Sequence, residues 1–208
     1  MRLFDYLDSG NGYKVRLLCA QLGLRYAWTE LDIDQGETRT QAFLARNPNG
    51  RVPTLELDDG THLAESNAIL WYLAEGSPLV PASAIGRAQV LQWMFFEQYS
   101  HEPYVATPRY IVRHLPADHP RQAELPERLA RGRAALEVME RHLAAAPYFV
   151  DGRYSIADIA LYAYTHVAED GGHTLAPYAS VRAWLARVAA QPNHVRLLDR
   201  PAATAPAS

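Results

Sequence analysis

The sequence predicts an α/β domain of order β-α-β-α-β-β-α over residues 1–76, followed by an all-α domain. Three observations carry this. Strand-like alternation and helix-like periodicity take turns through the first 76 residues, a linker with Pro78 and Pro81 follows Gly76, and no convincing strand pattern appears beyond it. The boundaries read as 1–76 for the first domain, 77–85 for the linker, 86–200 for the helical domain and 201–208 for a Pro- and Ala-rich tail expected to fray.

Each element has its own signal. Leu3 to Leu7 alternates as a short strand, and Val15, Leu18, Cys19 and Leu22 then fall at i, i+3, i+4 and i+7, the mark of one buried helical face. Gly23 stops that helix. Tyr26 to Ile33 reads as the second strand, Glu37 to Arg46 as a weaker helix and Val52 to Leu57 as the third strand. Asp59-Gly60 turns the chain into Thr61 to Leu63, and a helix from about Glu65 to Glu75 closes the domain. In the second half, helices are expected over about Ile85 to Arg113, bent at Pro103 and Pro108, then Gln122 to Ala145, Ser155 to His166 and Tyr178 to Ala190. Ser155 is the N-cap of its helix and Asp158 the carboxylate that reaches back, so both read as folding residues rather than catalytic ones.

Composition narrows the functions open to this chain. The 208 residues are 49% hydrophobic and 21% charged, the balance of a chain that builds a real core. A net charge of -3 offers no general attraction to nucleic acid or to an anionic membrane. Lys14 is the only lysine, which reads as compositional bias rather than function. A single cysteine allows no internal disulfide, and the eight histidines show no spacing that holds a metal. Met1 to Leu7 reaches Asp8 too soon for a signal peptide or a spanning helix, so the expected compartment is the cytoplasm.

Three polar segments of the first domain carry chemistry. Asp8-Ser9-Gly10-Asn11-Gly12-Tyr13 lies between a strand and a helix N-terminus, where backbone N–H groups and the helix dipole favour an anion and ionise a thiol; it serves equally as a turn with an N-cap. In Asn47-Pro48-Asn49-Gly50-Arg51-Val52-Pro53-Thr54-Leu55, Pro53 is best placed at a bend, where a cis bond after Val52 exposes the Val52 N–H and C=O to an extended peptide; an ordinary edge-strand proline is the plainer alternative. Glu65-Ser66-Asn67-Ala68-Ile69 opens a helix with a carboxylate beside a hydroxyl and backbone amides. That set can hold a zwitterion, and it also fits simple capping.

In order and spacing, Asn47-Pro48-x-Gly50-x-Val52-Pro53-x-Leu55, then Asp59-Gly60, then Leu63-x-Glu65-Ser66-x-Ala68-Ile69-x-x-Tyr72-Leu73 resembles the glutathione-binding domain of the glutathione S-transferase family. The linker, the helical second half and the Ser155-Ile156-Ala157-Asp158 cap resemble the same family, so the likeness covers nearly the whole chain. It implies a thioredoxin-like first domain that holds glutathione as cosubstrate, a helical domain that supplies most of an electrophile pocket, and a homodimer. It also implies that Val52, before a cis-Pro53, pairs with the cysteinyl backbone of glutathione, that Glu65 and Ser66 bind its γ-glutamyl end, and that Thr38, Arg39 and Arg51 lie near its glycyl carboxylate.

The activity this implies is activation of the glutathione thiol as thiolate for attack on small hydrophobic electrophiles, a detoxification chemistry. Glutathione-dependent reduction of disulfides or hydroperoxides is an alternative, and a non-catalytic binding or regulatory protein of the same fold is a third. Ser9 falls where serine-type members of the family place the catalytic hydroxyl; Asn11, two residues on, offers an amide, and Tyr6 and Tyr13 are weaker candidates. No cysteine occupies the loop, Gly12 standing where related thiol-transfer members carry one, and Cys19 reads as inert core. Along the first long helix of the second half, Tyr99, Tyr104 and Arg109 are the expected electrophile contacts, while Glu97 and His101 are candidates for a dimer interface.

Overall fold

The structure, a computed structural model, describes residues 1–201; the tail expected over 201–208 lies outside the described residues apart from Pro201. The chain forms two compact units, one of Met1–Ser77 together with the segment from Pro192, the other of Pro78–Gln191.

In the first unit the chain runs β1 (Arg2–Asp5), α1 (Gly10–Leu22), β2 (Ala27–Glu30), α2 (Gln41–Leu44), β3 (Thr54–Glu56), β4 (His62–Ala64) and α3 (Ser66–Ala74). The sheet order is β2-β1-β3-β4, with β1 and β2 parallel and the other pairs antiparallel. Leu3, Val15, Cys19, Leu55 and Ile69 are the buried heart of this unit, drawn from β1, α1, β3 and α3. Each large aliphatic side chain so buried contributes about 1.5–3 kcal/mol.

Local chemistry sets the ends of these elements. Ser9 caps α1 by accepting the Gly12 N–H, and Gly23, at φ 65°, supplies the left-handed residue that ends it. The helix expected over Glu37 to Arg46 is broken into a 3-10 turn (Glu37–Arg39) and the short α2, because Thr40, itself extended, recaps the chain through its hydroxyl. β2 and β3 are shorter at both ends than the expected runs, whereas β1 begins one residue early and stops at Asp5, where its pairing with β2 ends, and β4 keeps its length but lies one residue further on.

The second unit is helical: α4 (Ala84–Phe96), α5 (Glu102–His114), α6 (Leu125–Leu143), α7 (Ile156–Thr165) and α8 (Ala179–Ala189), with Trp184, Ile156, Ile159 and Leu136 fully buried. The single helix expected over Ile85 to Arg113 is interrupted by a π turn at Glu97–His101, placing Pro103 in the first turn of α5, where its missing N–H costs nothing. Pro108 sits inside α5. The capping box at Ser155 and Asp158 is present, and the buried Asp158 carboxylate also accepts from Phe149 N–H (3.3 Å) and Trp184 Nε1 (2.9 Å).

The segment after Gln191 differs from the sequence reading, which ran the helical domain to residue 200. It packs with the first unit because α1 holds it: the Tyr13 hydroxyl donates to the Val195 carbonyl (2.7 Å) and Arg16 to the Leu197 carbonyl (2.7 Å). Among the described residues no helix is long and apolar enough to cross a membrane.

Candidate functional site

The sheet register brings the three polar segments to one end of the first unit. Phe4 lies opposite Thr54, and Thr54 opposite Ala64. Beyond that row β1 runs on into the Ser9 loop, β3 is preceded by Val52-Pro53, and β4 is followed by Glu65-Ser66. Side chains join two of the segments directly, since the Ser66 hydroxyl donates to Asn11 Oδ1 (3.2 Å).

The β1–α1 loop is built around a buried carboxylate. Asp5 is ion-paired with Arg16 Nε at 2.9 Å and accepts from Tyr6 N–H (2.7 Å) and Trp28 Nε1 (3.4 Å); burial outweighs these partners and pushes its pKa up to about 6. This carboxylate explains Gly12. A Cβ there would stand 1.5 Å from Asp5 Oδ1, so the position where a thiol was considered admits no side chain at all.

The four candidate thiol activators now differ. Ser9 Oγ accepts the Gly12 N–H at 3.2 Å, and the hydroxyl proton is not donated to any described residue. Asn11, half-buried, is held through its oxygen by Ser66. Tyr13 is fully buried with its proton spent on Val195, which removes it as a donor to a ligand. At Tyr6, burial and the nearby Asp34, Asp8, Asp32 and Glu30 push the phenol pKa up and so make it a weak acid. Cys19 is 1% exposed, and burial pushes its thiol up to about 12.

In the second segment the Val52–Pro53 peptide bond is cis, and neither the N–H nor the C=O of Val52 makes a hydrogen bond among the described residues. Asn47 organises the turn, its amide donating to the Arg51 carbonyl (2.8 Å) and to Thr54 Oγ1 (3.1 Å). The three residues expected at a glycyl carboxylate separate. Thr38 is buried beneath Gly50, whose tight fit against the Thr38 carbonyl and the Arg39 guanidinium excludes a Cβ, whereas Arg39 and Arg51 are exposed. Arg39 donates to the Asn49 carbonyl at 3.0 Å.

Glu65 carries the third segment. Its φ of 67° with ψ 113° is a conformation that a Glu side chain adopts at a cost of about 1–3 kcal/mol, unlike Asp151 and Asn193, the other non-glycine residues with positive φ among those described, whose residue types tolerate it. The carboxylate is exposed beside the start of α3, while Ser66 is buried. A residue the sequence reading set aside belongs here too: Lys14 is fully buried and its Nζ donates to Ser66 Oγ at 3.3 Å. Its place three and four residues before Leu17 and Leu18, on the same side of the helix, was the available signal.

The residues expected at an electrophile pocket part ways in the second unit. Tyr99, 83% exposed, and Tyr104 line one pocket of about 340 Å³ with Phe96, Ser100 and Arg131, and the Tyr104 hydroxyl accepts from Arg131 at 2.7 Å. Arg109 is buried, and its Nε is ion-paired with Asp170 at 3.2 Å. Glu97 and His101, considered for an interface, are likewise fully buried, His101 Nε2 donating to Thr165 Oγ1 at 2.9 Å because the Thr165 proton goes to the Leu161 carbonyl. Among the described residues no group of three His, Cys, Asp or Glu is arranged to hold a metal ion.

Comparison with known proteins matches residues 9–75 to the glutathione S-transferase N-terminal domain and residues 93–192 to the glutathione S-transferase C-terminal domain. A glutathione S-transferase-like protein, LUC7, of a Fusarium species is 31% identical over 198 residues, which is 89% of this chain and 87% of that protein. The Ure2 protein of Eremothecium gossypii is 37% identical over 113 residues, half of this chain, and the match spans 32% of the Ure2 length. A crystal structure of a glutathione S-transferase from Pseudomonas fluorescens is 52% identical, with a TM-score of 0.91 over 95% of this chain and 98% of that one. A glutathione transferase from Burkholderia graminis, crystallised with two glutathione molecules per subunit, is 28% identical, with a TM-score of 0.84 over 96% and 88% of the two chains.

Proposed function

The chain belongs to the glutathione S-transferase family, and from that premise we propose that it binds glutathione at the end of the sheet where the three segments meet and activates its thiol as thiolate. The observation that carries this reading is the Phe4–Thr54–Ala64 row, which supports a single seat for a tripeptide. In that seat Val52 pairs through its N–H and C=O with the cysteinyl backbone. Glu65 takes the γ-glutamyl ammonium, the start of α3, with the main-chain N–H of Ser66, takes the carboxylate, and Arg51 and Arg39 face the glycyl end. Since the Ser66 hydroxyl already donates to Asn11, its part in binding falls to its backbone.

The sulfur then lies at the β1–α1 loop, where Ser9 has a proton to give and the N-terminus of α1 favours negative charge. Asn11 is the second donor of that loop. A thiol of pKa ~8.5 gains thiolate at neutral pH for every ~1.4 kcal/mol by which such donors prefer the ionised form. The thiolate attacks small hydrophobic electrophiles at their electron-poor carbon. We place the protein in the cytoplasm as a homodimer acting in detoxification, without metal, nucleic-acid or membrane partners.

The same thiolate can attack a disulfide or a hydroperoxide, and since the loop carries no cysteine and Asp5 excludes any side chain at position 12, glutathione is the reductant in that second reading. A third, a binding or regulatory role without turnover, draws on the likeness to Ure2, which in Saccharomyces cerevisiae carries the name transcriptional regulator. Turnover of an aryl halide against that of a mixed glutathione disulfide separates the first two. Glutathione binding by calorimetry without turnover of either substrate supports the third, and absence of binding overturns the first two readings together.

A further inference from the structure

Burying an ammonium is costly, and the side chain that does so here is the only lysine of the chain. Lys14 Nζ donates to Ser66 Oγ at 3.3 Å, and that oxygen lies 3.2 Å from Asn11 Oδ1. An ammonium has donors and no acceptor, so Ser66 can only accept from it. Lys14 and Asn11 are the only side-chain hydrogen-bond partners of Ser66 among the described residues, which leaves the Asn11 amide as the acceptor for the Ser66 proton. With that proton given to Asn11 Oδ1, the Asn11 oxygen faces Ser66 and its N–H₂ lies on the other side of the amide. An amide is otherwise able to sit either way round, and the two orientations present opposite charge to a thiolate.

We propose that Lys14 is a positioning residue for thiol activation: its ammonium directs the Ser66 hydroxyl to Asn11 and so holds the Asn11 amide with its donor side, rather than its oxygen, turned out of the contact between α1 and α3. The inference rests on the reading that the glutathione sulfur is seated at the Ser9–Asn11 loop. It also accounts for a lysine buried between two helices, where a leucine or methionine would pack at no desolvation cost.

The test uses the full chain with glutathione as probe, and reads the pH at which the bound thiol ionises from thiolate absorbance. Lys14→Met is expected to raise that pH by about one unit, a tenfold fall in thiolate at fixed pH. Ser66→Ala breaks the same chain of hydrogen bonds and is expected to produce a similar rise when read on the glutathione-saturated protein. Adding Lys14→Met to Asn11→Ala is expected to raise it no further than Asn11→Ala alone. A titration unchanged in Lys14→Met or in Ser66→Ala overturns the proposal, as does full additivity in the double variant. If Lys14→Met does not melt cooperatively, Ser66→Ala decides alone. A wild type that leaves the bound thiol at its solution pKa overturns the functional reading and this inference with it, whereas acidification of the thiol in wild type and in Ser66→Ala alike overturns this inference only.

Discussion

Ser9 holds two jobs that substitution can separate. Its oxygen accepts the Gly12 N–H at 3.2 Å as the cap of α1, and its proton is the donor assigned to the thiolate. Ser9→Ala removes both. The cap is worth about 1 kcal/mol, a fall of about 2–4 °C in melting temperature for a chain of this size. The donor, a hydrogen bond to a charged acceptor, is worth about 1.5–3 kcal/mol, which corresponds to a rise of about 1–2 units in the pH of thiol ionisation. Ser9→Asp keeps the cap, because Asp is as good at that position as Ser, but it removes the donor and sets a carboxylate beside the sulfur. It should therefore melt close to wild type and yet ionise bound glutathione at a higher pH than Ser9→Ala does. The assays are a thermal melt and the thiolate absorbance titration. If Ser9→Asp titrates like wild type, the hydroxyl is a cap and nothing more, and the assignment passes to Asn11.

Three further outcomes follow from the geometry. Glu65→Gly should stabilise the first unit by relieving a backbone cost of about 1–3 kcal/mol while weakening glutathione binding by about 1.5–3 kcal/mol; calorimetry showing unchanged affinity would remove the ammonium role. Gly12→Ala should cost about 3–5 kcal/mol in a denaturant titration, since its methyl drives the Asp5 carboxylate from its buried partner Arg16, and a stable Gly12→Ala protein would contradict the loop described. Burial raises Asp158 from 3.8 to about 6, so the folded state holds that proton longer than the unfolded chain; the stability it contributes is complete below about pH 4 and is lost as pH rises through about 6. The deficit of Asp158→Asn relative to wild type should accordingly shrink by about 3 kcal/mol between about pH 4 and pH 7 in urea unfolding, and a deficit that grows with pH over this range would refute the sign.

Much of the fold could be read in advance, and the reason is local. Ser9 before an amphipathic run, Gly23 after it, Asp59-Gly60 between short strands and Ser155 three residues before Asp158 each act through backbone preferences spanning a few residues. The Val52-Pro53 and Glu65-Ser66 pairs were visible for the same reason. What misled the reading was length: Glu37 to Arg46 and Ile85 to Arg113 have helical composition throughout, yet Thr40 and the turn before Pro103 divide them.

By itself, then, the sequence determined the order of elements, their caps and the family likeness, all carried by near neighbours along the chain. Tertiary structure alone decided the rest. It set Lys14 against Ser66, 52 positions away, and it tied α1 to a segment at Val195, 182 positions from Tyr13. It also put Asp5 on Gly12, and it paired Arg109 with Asp170, 61 positions away. Such pairings depend on which faces meet when helices and strands pack, and a buried charge takes its partner from whatever the packing brings within reach.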